Sequence, residues 1–77
     1  MSEVTIFTRS DDPNSDMIRN LLKFHNIEFV NKDIMTLQNL IELKKVSART
    51  ITPTLVIDCK VYIGFDREKI KEVLNIK

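Results

Sequence analysis

One cysteine, one glycine and two prolines are all that this 77-residue chain has of the residues that staple or punctuate a small domain. The single thiol, Cys59, rules out an internal disulfide and any multi-cysteine metal site. Gly64 is the only glycine, and the prolines are Pro13 and Pro53. Linker composition, low complexity and internal repeats are absent. No apolar run approaches the ~20 residues of a membrane-spanning helix. Nor does a charged segment followed by an apolar core open the chain, so a cytoplasmic location is the expectation. One-sided charge is missing too. Twelve basic residues against 11 acidic ones leave a net charge of +1. That balance gives neither nucleic acid nor a membrane surface an electrostatic reason to bind.

What is present is a globular composition, 43% hydrophobic and 30% charged. The length fits one domain, residues 1–77. A chain this short buries only about 60% of its unfolded surface, so its core must be efficient.

Val4–Thr8 is β-branched and aromatic and reads as a strand buried on both faces. Asp12-Pro13 then starts a helix, with a carboxylate suited to the N-cap and a proline suited to the first helical position. Met17, Ile18, Leu21, Leu22 and His25 follow at helical spacing. Ile27–Asn31 alternates and reads as a second strand, parallel to the first in a βαβ unit. Thr36 is placed to cap a second helix through Ser47, packed through Leu37, Leu40, Ile41, Leu43 and Val46. Thr54–Asp58 and Lys60–Ile63 are two strand-like runs joined at Asp58-Cys59, a hairpin with cysteine where glycine would be comfortable. Asp66 caps a last helix, whose apolar residues are Ile70, Val73 and Leu74. The order is β-α-β-α-β-β-α: α/β, a four-stranded mixed sheet flanked by helices.

In so short a chain that order resembles the thioredoxin fold in its minimal, glutaredoxin form. The likeness rests on Thr5-Ile6-Phe7-Thr8-Arg9, on Thr52-Pro53 and on Gly64-Phe65-Asp66. Glutaredoxins show a basic residue, two further positions, then Cys-Pro-x-Cys. The matching run here is Arg9-Ser10-Asp11-Asp12-Pro13-Asn14-Ser15. The proline is kept, and Asp12 and Ser15 occupy the two cysteine positions.

In that family the first cysteine works because a helix N-terminus lowers its pKa, and the second resolves the mixed disulfide. A proline, usually cis, shapes the loop opposite and exposes the backbone of the residue before it. A cis bond costs proline only about 0.5–1 kcal/mol. The resemblance therefore implies a groove formed by Arg9, Thr52, Pro53, Phe65 and Asp66. Arg9 would sit near the glycyl carboxylate of glutathione, and Phe65-Asp66 would offer N–H groups to a carboxylate. With both thiols replaced, no catalytic residue is expected. The expected use is non-catalytic binding of an extended peptide, a protein or glutathione, with no resident cofactor. The alternative is a glutathione-dependent thiol–disulfide oxidoreductase.

The remaining candidates have plain structural readings. Asp11, Asp12 and Asp16 resemble a weak divalent-ion cluster, but carboxylates at a helix start complement its dipole, and no metal site is expected. Ser15 would need a base to become a nucleophile, and no histidine is placed near it in sequence. His25 falls near the first helix's C-terminus, where cations are favoured. Cys59 falls on a hairpin tip with no helix N-terminus to activate it.

Overall fold

A computed structural model describes residues 3–76 of the chain. Strand β1, Val4–Thr8, is followed by helix α1, Pro13–Phe24, and strand β2, Val30–Asp33. Helix α2, Leu37–Ser47, strands β3, Thr54–Ile57, and β4, Lys60–Ile63, and helix α3, Arg67–Val73, complete the order. The sheet order is β2-β1-β3-β4. β1 pairs parallel with β2, Thr5 opposite Val30 through Thr8 opposite Asp33. On its other side β1 runs antiparallel to β3, from Val4 opposite Ile57 to Phe7 opposite Thr54. β3 in turn pairs antiparallel with β4.

Successive strand side chains point to opposite faces, and the core follows that rule. Val4 and Ile6 of β1 and Leu55 and Ile57 of β3 form one buried cluster with Ile18, Leu21 and Leu22 of α1 and Ile70 of α3. Phe7 and Thr54 point the other way and are fully buried as well. Thr5, Val56 and Val61 on that second face share a groove with Val46 of α2. The helices thus divide between the two sides of the sheet, α1 and α3 against α2.

β2 begins three residues later than its pattern indicates. Ile27–Asn31 alternates because Ile27 and Phe29 pack against the core, not because they join the ladder. The backbone there is spent on ending α1. Asn26 is left-handed at φ 55, and the Ile27 N–H bonds the Leu22 carbonyl at 2.9 Å. That is the Schellman arrangement, and pairing with β1 starts only once it is complete. The second correction concerns α2. Thr36 stands at its N-cap without a side-chain capping bond, and of the five apolar residues expected to pack it only Leu43 is buried. Leu37 is 69% exposed and Ile41 46%. The third is in α1, where Met17 and His25 stay at the margin of the apolar stripe.

The Asp58-Cys59 hairpin has positive φ at both residues, 49° and 67°. That is the type I′ turn, which suits the right-handed twist of the flanking strands. Cysteine bears a Cβ penalty there that glycine does not. Cys59→Gly is therefore expected to raise stability by about 0.5–1 kcal/mol. A urea midpoint that rises at unchanged slope is the readout, and a lower midpoint would contradict the turn assignment.

Candidate functional site

β1 ends at Thr8, and the chain turns through Arg9–Asp12, closed by the Asp12 N–H on the Arg9 carbonyl at 3.1 Å. Asp12 has extended backbone angles and Pro13 opens α1, as a capped helix start requires. The Asp12 carboxylate is the hub of the site. Its Oδ1 accepts from the Asn14 N–H at 3.1 Å. Its Oδ2 accepts from two hydroxyls, Ser15 Oγ at 3.0 Å and Thr52 Oγ1 at 2.8 Å. Ser15 Oγ also accepts the Arg9 N–H at 3.1 Å, which ties the loop before the helix to its first turn.

Thr52 precedes the loop to β3, and the Thr52–Pro53 peptide bond is cis. The loop is pinned on three sides. Thr52 donates to Asp12, Thr54 Oγ1 donates to the Ile51 carbonyl at 2.7 Å, and the Gly64 N–H donates to the Pro53 carbonyl at 2.8 Å. The last bond places the start of Gly64-Phe65-Asp66 beside Pro53. Gly64 takes φ 87°, which needs glycine. Phe65 is half-buried against the core, and the Asp66 carboxylate caps α3 by accepting the Lys69 N–H at 3.2 Å.

Of the residues expected to form the groove, Thr52 bonds Asp12, and the Pro53 carbonyl accepts the Gly64 N–H that leads to Phe65 and Asp66. Arg9 faces elsewhere. Its side chain pairs with Asp11 at 2.9 Å and lines a groove of about 370 Å³ with Ile34, Met35, Leu40, Lys44 and Thr50. Phe65 and Asp66 are not among those walls. Lys44 and the apolar residues of this second groove were not anticipated from the sequence. The available signal was the apolar surplus of α2, more than its contact with the sheet absorbs.

The chemistry of the two substituted positions follows from this geometry. Burial by itself raises the Asp12 pKa, but donors from Thr52, Ser15 and the backbone outweigh it and hold the carboxyl below its ordinary value of 3.8. A carboxylate so held stays ionised at neutral pH and is a poor proton acceptor. Ser15 is fully buried, so its hydroxyl cannot reach a substrate. Among the described residues no group of three metal-ligating side chains converges. Asp11 is engaged by Arg9 and Asp16 by Arg19. His25 caps the C-terminus of α1, and Cys59 is exposed at the hairpin tip.

Because folding lowers the Asp12 pKa, its contribution to stability is fully present above pH ~3.8 and is lost as pH falls through the lower folded value. Thr52→Val removes a donor to the charged form. The Asp12 carboxyl should then titrate at higher pH, toward 3.8, in a carbon-detected NMR titration. The same variant should lose about 1–2 kcal/mol at pH 7, and the loss should shrink as pH falls through the folded Asp12 value and the carboxyl is protonated. An unmoved Asp12 titration would show that the Thr52 hydroxyl does not bear on it.

No family model matches the sequence, and no curated protein matches it. Solved structures do. A mutant of the thioredoxin-like protein BC3987 aligns over 100% of both chains at 28% identity and a TM-score of 0.91. A glutaredoxin from Archaeoglobus fulgidus aligns over 96% of this chain and 87% of its own at 22% identity and a TM-score of 0.83. One from Methanosarcina mazei Go1 aligns over 94% of this chain and 77% of its own at 19% identity and a TM-score of 0.79. By these likenesses the chain has a thioredoxin-like fold, with Asp12 and Ser15 at the start of its first helix.

Proposed function

We propose that the protein is a non-catalytic binding module whose groove beside Thr52-Pro53 takes an extended peptide, either glutathione or a segment of a protein partner. The observation that carries this reading is the state of Thr52. Its side chain is anchored by Asp12, yet among the described residues its backbone N–H and carbonyl make no hydrogen bond. A half-exposed residue held rigidly with both backbone groups open is prepared to pair with another extended backbone. The neighbouring groove supports it. Lys44 offers positive charge at the rim of an apolar floor, beside Arg9 and its partner Asp11, which suits a peptide ending in a carboxylate. Phe65 and Asp66 form the opposite border, next to Pro53. A cytoplasmic setting, where glutathione is abundant, fits this use.

The competing reading is a thiol–disulfide oxidoreductase, favoured by the glutaredoxins among the structural neighbours. It lacks a sulfur at the site. Cys59 follows Ile57, which pairs with Val4 at one end of β1, whereas Asp12 follows Thr8 at the other end. The only thiol is therefore a full strand length from the groove.

Two measurements separate these readings. Glutathione titrated into the labelled chain should shift the amides of Arg9, Thr52, Phe65 and Asp66, weakly and saturably. Shifts elsewhere, or none, would remove glutathione and leave a peptide or protein ligand. The chain should also give no turnover of a glutathione mixed disulfide, while the double variant Asp12→Cys/Ser15→Cys should give some. That activity should be reduced, because Asp11 and Asp16 raise the pKa of a neighbouring thiol, and it should increase on Asp11→Asn/Asp16→Asn. Wild-type turnover abolished by Cys59→Ser would overturn the non-catalytic reading.

A further inference from the structure

A further groove lies between α1 and α3, separate from Thr52 and Pro53. Met17, Leu21 and Phe24 follow one another along α1 at helical spacing and form its apolar wall. Leu21 is buried at its floor, Met17 is 41% exposed and Phe24 is 80% exposed. A lone exposed phenylalanine would need no explanation. Here it is the end of a continuous apolar stripe beside a cavity of about 590 Å³, within the range of ligand-sized clefts. The Phe24 ring stands edge-on to His25, with centroids 5.1 Å apart, which holds it upright at the rim.

The facing wall is cationic. Arg67 and Lys71 lie one turn apart on α3 and both line the groove. Like most basic residues of the chain, neither forms an ion pair among the described residues, so both charges face the groove uncompensated. The acidic residues of α3, Glu68 and Glu72, are not among the walls, and the nearest carboxylate on α1, Asp16, is engaged by Arg19.

From an apolar wall facing two unpaired cations, we propose that this groove docks a segment of a partner protein carrying an apolar anchor flanked by carboxylates. The anchor would cover Leu21 between Met17 and Phe24, and the carboxylates would meet Arg67 and Lys71. Charge complementarity selects this occupant over a second copy of the chain. A two-fold dimer through this face would set the same cationic patch of both copies against each other, which like charge disfavours. The inference uses no residue of the Thr52-Pro53 groove and stands independently of the function proposed for it.

The test is selection of a displayed library of random peptides on the full chain, followed by resynthesis of the enriched sequences. Enriched peptides should combine Phe, Leu or Trp with Asp and Glu. They should shift amides of Met17, Phe24, Arg67 and Lys71, and bind more weakly as salt rises. Phe24→Ser and the charge reversal Arg67→Glu/Lys71→Glu should each weaken binding about tenfold or more. Phe24 and Arg67 are exposed and Lys71 is half-buried, so the variants should keep the fold, with the amide spectrum of the core strands as the check. Peptides without acidic residues, affinities unmoved by either variant, shifts centred on Thr52, or no enrichment would overturn the proposal. Self-association that Phe24→Ser abolishes would assign the groove to a second copy and overturn it as well.

Discussion

The site depends on one carboxylate. Asp12 caps α1, receives the hydroxyl of Ser15 from within the helix, and receives the hydroxyl of Thr52 from a loop 40 residues away. These bonds join the turn after β1, the first turn of α1 and the loop before β3 into one unit. A charged acceptor makes each bond stronger than its neutral counterpart. Helix N-termini favour negative charge, so the position that stabilises a thiolate in a redoxin stabilises a carboxylate equally well. What changes is the availability of the group. A thiolate poised for attack must leave its lone pairs open, whereas the Asp12 oxygens are occupied by donors from the protein itself.

The same bonding closes the start of the helix on itself. Ser15 is fully buried and uses its hydroxyl on both sides, accepting from the Arg9 N–H and donating to Asp12. The two substitutions are complementary. A carboxylate without a hydroxyl at the third following position would lose a donor, and a buried hydroxyl without the carboxylate would lose its acceptor. Together they leave no unsatisfied buried side-chain polar atom among the described residues.

Much of this was legible in the sequence, and the failures have physical causes. β1, the Asp12-Pro13 start, the Asp58-Cys59 hairpin and the Asp66 cap were readable because each is a local choice made by residues within a few positions of one another. The start of β2 was not. Ile27 and Phe29 alternate because they reach the core, and alternation reports burial, not ladder pairing. α2 was readable as a helix, but its buried face was not, because its apolar residues exceed what the sheet covers and only Leu43 is enclosed. The placement of Thr52 beside Asp12 came from the family likeness. That a hydrogen bond joins them, and that Arg9 turns toward Lys44, follow from tertiary packing that no local pattern encodes.

The sheet order has a consequence for the timescale on which the site exists. β1 and β3 are the interior strands, each paired on both sides, while β2 and β4 are edges. Amides of interior strands exchange with solvent only through the largest openings of a domain, whereas edges fray by smaller local ones. The Arg9–Asp12 turn hangs from the end of β1, and the Thr52-Pro53 loop leads directly into β3. The two halves of the Asp12 network are therefore fastened to the slowest-opening parts of the molecule. The α2 wall, packed beside the edge strand β2, can fluctuate without loosening them, so the Thr52 backbone is fixed while the surface of α2 remains adjustable.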